Sequence, residues 1–225
     1  MGKEVSAESF AQICASLRDR GAENINIVTG SHAIPAITEG LAAAKKAGVD
    51  IPVLWNSSAY ENIEALELLE DHVDIFLPDL KTLDSEIAAE FFNAPDYPAA
   101  AEAAVLKMIK MTQSKEKVVI RHLILPGFLE STHAVLRWFA DNASDSALLS
   151  LMTQYTPIQG RGRKMPNRYL SQNEYETVLE WLYEFDIEDG FIQELVTGNE
   201  WLPDFERSNP FSSELSVPVW HFKNS

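Results

Sequence analysis

Short runs of consecutive apolar residues alternate along this chain with longer stretches in which apolar side chains recur every three or four positions. The first pattern marks buried parallel strands and the second marks amphipathic helices. A helix is expected over residues 6–20, where Phe10, Ile13, Cys14 and Leu17 form one stripe. Strands are expected at 24–29, 51–55, 73–77, 118–125, 148–152 and 191–196. Helices are expected between them, at 31–47, 60–70, 84–92, 97–113, 132–142 and 171–185. Several ends carry their own signals. Gly48 is a helix stop, and Pro35 and Pro98 sit in first turns where a missing N–H is harmless. Asp84 is a helix cap, and Ser171-Gln172-Asn173-Glu174 reads as a capping box.

This strict β-α order predicts an α/β fold with a parallel sheet or barrel. A closed eight-stranded barrel needs about 250 residues, and this chain has 225. A partial barrel over residues 1–198 is therefore expected. The stretch 199–225, rich in proline and aromatic residues, reads as an irregular tail packed on that barrel.

Composition narrows the function classes. Hydrophobic residues make up 46% and charged ones 23%, ordinary values for a domain with a sizeable core. The formal net charge of −16 argues against binding to a phosphate backbone or an anionic membrane. Cys14 is the one cysteine, so no internal disulfide forms, and a reducing cytoplasm fits. No apolar run of membrane-spanning length occurs.

In parallel α/β folds the chemistry gathers at the C-terminal ends of the strands. The first ends in Thr29-Gly30-Ser31-His32, where Gly30 allows close approach of a ligand and Ser31 can cap a helix. The same residues serve a plain turn equally well. The second ends in Asn56-Ser57-Ser58, small polar groups suited to a ribose or an amino-acid headgroup, and also common loop chemistry. The third ends in Pro78-Asp79-Leu80-Lys81. Asp79 and Lys81 lie two apart and share a face, matching a zwitterion or simply each other. The fourth carries Arg121-His122 within an apolar run, so one of the two faces inward. The fifth ends in Thr153-Gln154-Tyr155. No GxSxG, HExxH, Walker or dinucleotide-binding motif occurs, and the five histidines lack metal-ligand spacing. The polar loop 159–168, with Arg161, Arg163, Lys164 and Arg168, is either a partner site or a solvated connector.

Several blocks together resemble the radical S-adenosylmethionine (SAM) superfamily, and within it the pyruvate formate-lyase-activating enzymes. They are Asn24-Ile25-Asn26-Ile27-Val28-Thr29, Trp55-Asn56-Ser57-Ser58-Ala59-Tyr60 and Val73-Asp74-Ile75-Phe76-Leu77-Pro78-Asp79-Leu80-Lys81. Ile120-Arg121-His122-Leu123-Ile124-Leu125-Pro126-Gly127, Leu151-Met152-Thr153-Gln154-Tyr155 and Trp201-Leu202-Pro203-Asp204-Phe205 continue the likeness. The resemblance implies a partial barrel in which a 4Fe–4S cluster and SAM generate a 5′-deoxyadenosyl radical. It implies Asn56 and Ser57 beside the SAM headgroup, and Asp79 and Lys81 at its amino-acid end, directly or through a cation. It further implies Arg121 near the carboxylate or ribose, and Tyr155 near the methionine or adenosine. A glycyl-radical enzyme or another protein substrate is the implied partner.

The sequence departs from that family at one point. The cluster is held in the family by a Cys-x₃-Cys-x₂-Cys loop after the first strand, and no such loop occurs here. The chain reads as N-terminally truncated, lacking the first strand and the cluster loop, and inactive alone. Two other readings stand beside it: a non-catalytic SAM-binding scaffold, and a cluster-free barrel acting on a sugar or carboxylate. A missing neighbour leaves the strand at 24–29 with an open edge, so self-association there is expected.

Overall fold

The computed structural model describes residues 4–157, 165–196 and 198. The expected tail at 199–225, and most of the basic loop, lie outside the described residues. The elements run α1 (Ala7–Asp19), β1 (Ile25–Val28), α2 (Ile34–Lys46), β2 (Val53–Ser57), α3 (Ile63–Glu67) and β3 (Ile75–Pro78). They continue with α4 (Ser85–Phe92), α5 (Tyr97–Thr112), β4 (Val119–Leu123), α6 (Leu129–Asn142), β5 (Leu148–Met152), α7 (Gln172–Glu184) and β6 (Gly190–Ile192). Short 3₁₀ turns at Ser31–Ala33 and Lys115–Lys117 precede α2 and β4.

All strand pairs are parallel and follow chain order, β1-β2-β3 and β4-β5-β6. The two sets meet between β3 and β4, through parallel bridges Phe76–Val118 and Asp79–Arg121 and the 2.9 Å bond from Leu80 N to Arg121 O. The result is an arc of six strands, the expected partial barrel. β1 pairs with β2 alone, so its outer edge is open among the described residues.

Alternation of side chains divides the arc into two faces. Trp55, Phe76, Ile120 and Leu151 point to the convex side and are at most 1% exposed. They pack under helical side chains such as Leu66, Val105, Met108 and Leu136. A second, smaller core forms where α1 lies on α2 and the start of β1, around Ala11, Cys14, Ile25, Ala44 and Val49. The concave side is less covered: Leu54, Ile75, Leu77 and Val119 are half-buried, while Val28 and Phe191 are 62% and 59% exposed.

Local signals explain most boundaries. Ser6, Asn62, Asp84 and Ser171 each cap a helix by accepting main-chain N–H bonds, and the Ser171–Glu174 box closes in both directions. The Ser31 expectation needs correction. α2 has no side-chain cap, and the Ser31 hydroxyl donates instead to Glu61 Oε1 at 2.7 Å. Gly30 also has a different role from ligand approach. A Cβ there would lie 2.7–2.9 Å from Ile37, Trp55 and Ile27, so glycine is required by core packing.

Candidate functional site

The C-terminal half of β2, β3 and β4 holds a connected polar constellation. Asp79 follows directly on β3 and receives Lys81 Nζ at Oδ2, 2.7 Å away. Its other oxygen meets Arg121 Nη2 at 2.5 Å, a charge contact whose angles are not those of a hydrogen bond. Arg121 Nη2 also donates to Asn56 Oδ1 at 2.6 Å, across 65 positions of sequence. Side chains on or just after three neighbouring strands are thus tied by one guanidinium. Side chains of Asp79, Lys81 and Arg121 remain 20%, 32% and 23% exposed, so solvent and solutes reach them.

One carboxylate between two cations leaves this cluster with a net positive charge, in a protein whose total is −16. Such a spot favours a carboxylate or another anionic group. Three buried side-chain polar atoms lack a hydrogen-bond partner among the described residues: Asp79 Oδ1, Arg121 Nε and Glu61 Oε2. Asp79 Oδ1 is compensated by its charge contact with Arg121, whereas Arg121 Nε and Glu61 Oε2 are unmet, at a desolvation cost of about 1–3 kcal/mol each. All three lie at this rim.

A cavity of about 230 Å³ opens beside the cluster. Asp79, Lys81 and Arg121 form its polar end, and Phe92, Leu123, Leu125, Met152, Tyr155 and Met165 form the rest. A charged end on an apolar chamber suits an amphipathic ligand with a zwitterionic or anionic head. Tyr155 is 6% exposed, and its hydroxyl donates to Pro166 O at 2.7 Å. Its ring rather than its hydroxyl is therefore offered to the cavity.

The structure brings Asn56, Asp79, Lys81, Arg121 and Tyr155 together. Ser57 stands apart. It faces the convex side, is 3% exposed, and accepts the N–H of Ala59 on its Oγ at 3.2 Å. Asp79 and Lys81 share a face as expected, but each is already the other's partner. His122, next to Arg121, points the opposite way and is 1% exposed. Its Nδ1 lies 2.8 Å from Leu80 O, which can only accept, so Nδ1 carries the proton. Nε2 then accepts from the Thr132 hydroxyl at 3.0 Å. Burial lowers the His122 pKa to about 4, against the bond to Leu80 O and the charge of Asp79, which raise it.

Two residues at this rim escape sequence reasoning. Glu61 is 6% exposed and accepts from Ser31 at 2.7 Å and from Trp55 Nε1 at 3.3 Å. Tyr97 opens α5, yet its hydroxyl reaches the main chain beside Asp79. An acidic residue in a turn and a tyrosine on a helix carry no sequence signal for these contacts. Backbone strain also gathers here. Thr29 and Ala59, just past the ends of β1 and β2, have φ of 57° and 55°. For a β-branched threonine that conformation is rare and costs about 1–3 kcal/mol.

No protein-family model matches this chain. An uncharacterized protein of Methanocaldococcus jannaschii, MJ0674, is 28% identical over 183 residues, which is 80% of this chain and 52% of that protein. The chain thus spans about half the length of the curated relative it matches. Solved structures decide the architecture. A domain of a pyruvate-formate lyase-activating enzyme from Bacteroides vulgatus superposes with a TM-score of 0.54, at 13% identity, over 76% of this chain and 98% of that one. A radical SAM methyltransferase from Sphaerobacter thermophilus gives 0.61, at 13% identity, over 84% of this chain and 57% of that one. The chain has the radical SAM fold. Streptococcus suis SuiB bound to S-adenosylmethionine shares it, with a TM-score of 0.57 at 13% identity over 84% of this chain and 42% of that one.

Within the radical SAM fold the donor set of these residues can be tested against an iron–sulfur cluster. Cluster ligation needs several thiolates. Cys14, the single cysteine, is 2% exposed in α1, where burial raises its thiol pKa. It lies with Ile25, Val53 and Asp74 at the N-terminal ends of the strands, opposite the rim. No group of three or more His, Cys, Asp or Glu residues among those described is placed to hold a metal ion. These 225 residues do not fit a cluster. No helix among the described residues is long and apolar enough to cross a membrane.

Proposed function

We propose that this chain is the S-adenosylmethionine-binding barrel of a radical SAM protein related to the glycyl-radical-enzyme activating enzymes. One observation carries the reading. The net-positive Asp79–Lys81–Arg121–Asn56 cluster, with the unmet Nε of Arg121, closes one end of an apolar cavity on the catalytic face of a radical SAM fold. The SAM-bound neighbour supports the same ligand. Bound S-adenosylmethionine would supply hydrogen-abstracting chemistry in partnership with a cluster ligated by thiolates from outside these residues.

What these residues do is bind and orient. Arg121 and Lys81 take the carboxylate of the amino-acid end, and Asp79 takes its ammonium. Asn56 holds the guanidinium plane in place. Leu123, Leu125, Met152 and the Tyr155 ring cover the less polar part of the ligand and keep water from it. Partners fall under the same proposal: a glycyl-radical enzyme or another protein substrate, and a second copy of this chain at the open edge of β1.

Titration calorimetry with S-adenosylmethionine tests the reading on the wild type and on Asp79→Ala, Lys81→Met and Arg121→Met. Weak but measurable binding is expected, falling about tenfold or more when Lys81 or Arg121 is lost and by less for Asp79→Ala, whose carboxylate already holds Lys81. Equal affinity in all four proteins would remove the cluster from the site. No binding to the wild type would overturn the proposal in favour of a barrel without this ligand.

A further inference from the structure

The chain leaves the sheet just where its site residues stand, and that exit is held by a residue outside the strands. Asp79 N donates to Ser57 O on β2 at 2.9 Å, and Leu80 N donates to Arg121 O on β4 at 2.9 Å. Beyond those bonds the ladder ends, and Lys81 N turns back toward a side on which β2 no longer runs. The Tyr97 hydroxyl takes its place. It accepts from Lys81 N at 3.0 Å and donates to Asp79 O at 2.6 Å. A single oxygen therefore bridges the main chains of two of the three residues whose side chains form the charged end of the cavity.

Tyr97 is well placed to be rigid. It is 3% exposed at the first position of α5, with Pro98 behind it. Its ring lies 5.8 Å from those of Tyr60 and Phe92, at tilted angles. Phe92 is itself a wall of the cavity. The segment 79–81 has no other strand to hold Asp79 O or Lys81 N. Without the hydroxyl both groups lose their partner, and the Cα positions that aim Asp79 and Lys81 become free to shift.

We propose that Tyr97 is a positioning residue for the amino-acid end of the ligand: its hydroxyl fixes the 79–81 main chain and so holds Asp79 and Lys81 in register with Arg121. This inference rests on the S-adenosylmethionine reading above. It separates the two ends of that ligand. Tyr97 governs recognition of the aminocarboxypropyl group and leaves recognition of the adenosine to the apolar part of the cavity.

Two ligands and two variants test it. S-adenosylmethionine and 5′-methylthioadenosine share the adenosine and the sulfur, and only the first has the amino-acid end. Tyr97→Phe removes the bridging oxygen. Tyr60→Phe is the matched control, because that hydroxyl donates to Asp96 at 2.7 Å and touches nothing in 79–81. Affinities are measured by calorimetry, with the thermal midpoint of each protein recorded. Tyr97→Phe is expected to weaken S-adenosylmethionine about tenfold, the equivalent of one to two lost hydrogen bonds. Methylthioadenosine should bind it as it binds the wild type, and Tyr60→Phe should behave as wild type toward both. Equal weakening of both ligands by Tyr97→Phe would reduce Tyr97 to a structural role and overturn the inference. So would an unchanged affinity for S-adenosylmethionine. A wild type that binds methylthioadenosine but gains nothing from the amino-acid end would overturn the reading of the charged cluster itself.

Discussion

Replacing Glu174 by Gln should lower stability at neutral pH and leave most of that loss invisible in strong acid. Glu174 is 8% exposed at the start of α7 and accepts five hydrogen bonds. Oε1 takes Gly127 N and Arg168 Nη2, each at 2.7 Å. Oε2 takes Ser171 N at 3.0 Å, Ser171 Oγ at 2.8 Å and Arg168 Nη1 at 2.5 Å. An amide keeps the shape but has one acceptor oxygen. Its NH₂ must then face the N–H of either Gly127 or Ser171, and leaving that donor unmet costs about 1–3 kcal/mol. Arg168 is half exposed, so losing its ion pair adds only about 0–1 kcal/mol. A total near 2 kcal/mol corresponds to a fall in Tm of about 4–8 °C for a chain of this size. Arg168, burial and the bonds from Ser171 and Gly127 set the Glu174 pKa, with Arg168 the largest influence, lowering it from 4.5 to about 2. A depressed carboxylate stabilises the fold above its unfolded pKa and loses that contribution as pH falls through the folded value. The gap between wild type and Glu174→Gln should therefore be constant above about pH 5 and narrow between pH 4.5 and 2. Thermal unfolding followed by circular dichroism across that range measures it. Equal midpoints at pH 7, or a gap that persists undiminished in acid, would refute the assignment of Glu174 as an ionised clamp.

Two further outcomes follow from the rim. His122, with its pKa lowered to about 4, should remain neutral through the range where a free histidine titrates, so stability falls as pH drops from about 6.5 toward 4. Its imidazole resonances, followed by NMR, should stay unshifted down to about pH 5, and a midpoint near 6.5 would contradict its burial. Glu61→Gln should leave the Tm unchanged or slightly higher, because the amide oxygen can still accept from Ser31 and Trp55 while the unpartnered oxygen is replaced by a neutral group. A large drop in Tm would show that the charge of Glu61 is itself in use.

The legible parts of the fold are those governed by neighbours in sequence. The capping box at Ser171, the cap at Asp84 and the strand Leu148–Met152 stand where the residue pattern puts them. β2 is displaced by two positions, from 51–55 to Val53–Ser57. Pro52 cannot donate to a ladder, whereas polar Asn56 and Ser57 can, because strand pairing uses the main chain and is indifferent to their side chains. α3 starts later than expected because the Asn62 side chain accepts from Glu64 N and Ala65 N and fixes the first turn there. α6 starts earlier, at Leu129, since Glu130 and Ser131 mask an otherwise helical turn. At the site, Asp79 and Lys81 are visible as charges at a strand end, and Arg121 as a charge within an apolar strand. Their mutual pairing, the Asn56 contact and the reach of Tyr97 are not, because each joins positions that only the assembled arc brings together.

That pairing gives the cluster an asymmetry which bears on how a zwitterion would enter. Arg121 spends one terminal nitrogen, Nη2, on Asp79 and Asn56, while Nη1 makes no hydrogen bond or ion pair among the described residues. A ligand carboxylate approaching the guanidinium therefore needs no existing bond to break, and charge-assisted bonds of this kind are the stronger ones. An incoming ammonium faces the opposite situation. Asp79 Oδ2 already holds Lys81 at 2.7 Å, so the ligand cation must displace one of like charge or share the carboxylate with it. The gain on that side is an exchange rather than a new contact, and exchanges in partly exposed sites return little. Carboxylate recognition is thus built into these residues, and the ammonium end gains little from them. A ligand held mainly at one end binds weakly, which agrees with the weak affinity expected of these residues without a second anchor. Supplying that anchor falls to groups outside the cluster of Asn56, Asp79, Lys81 and Arg121.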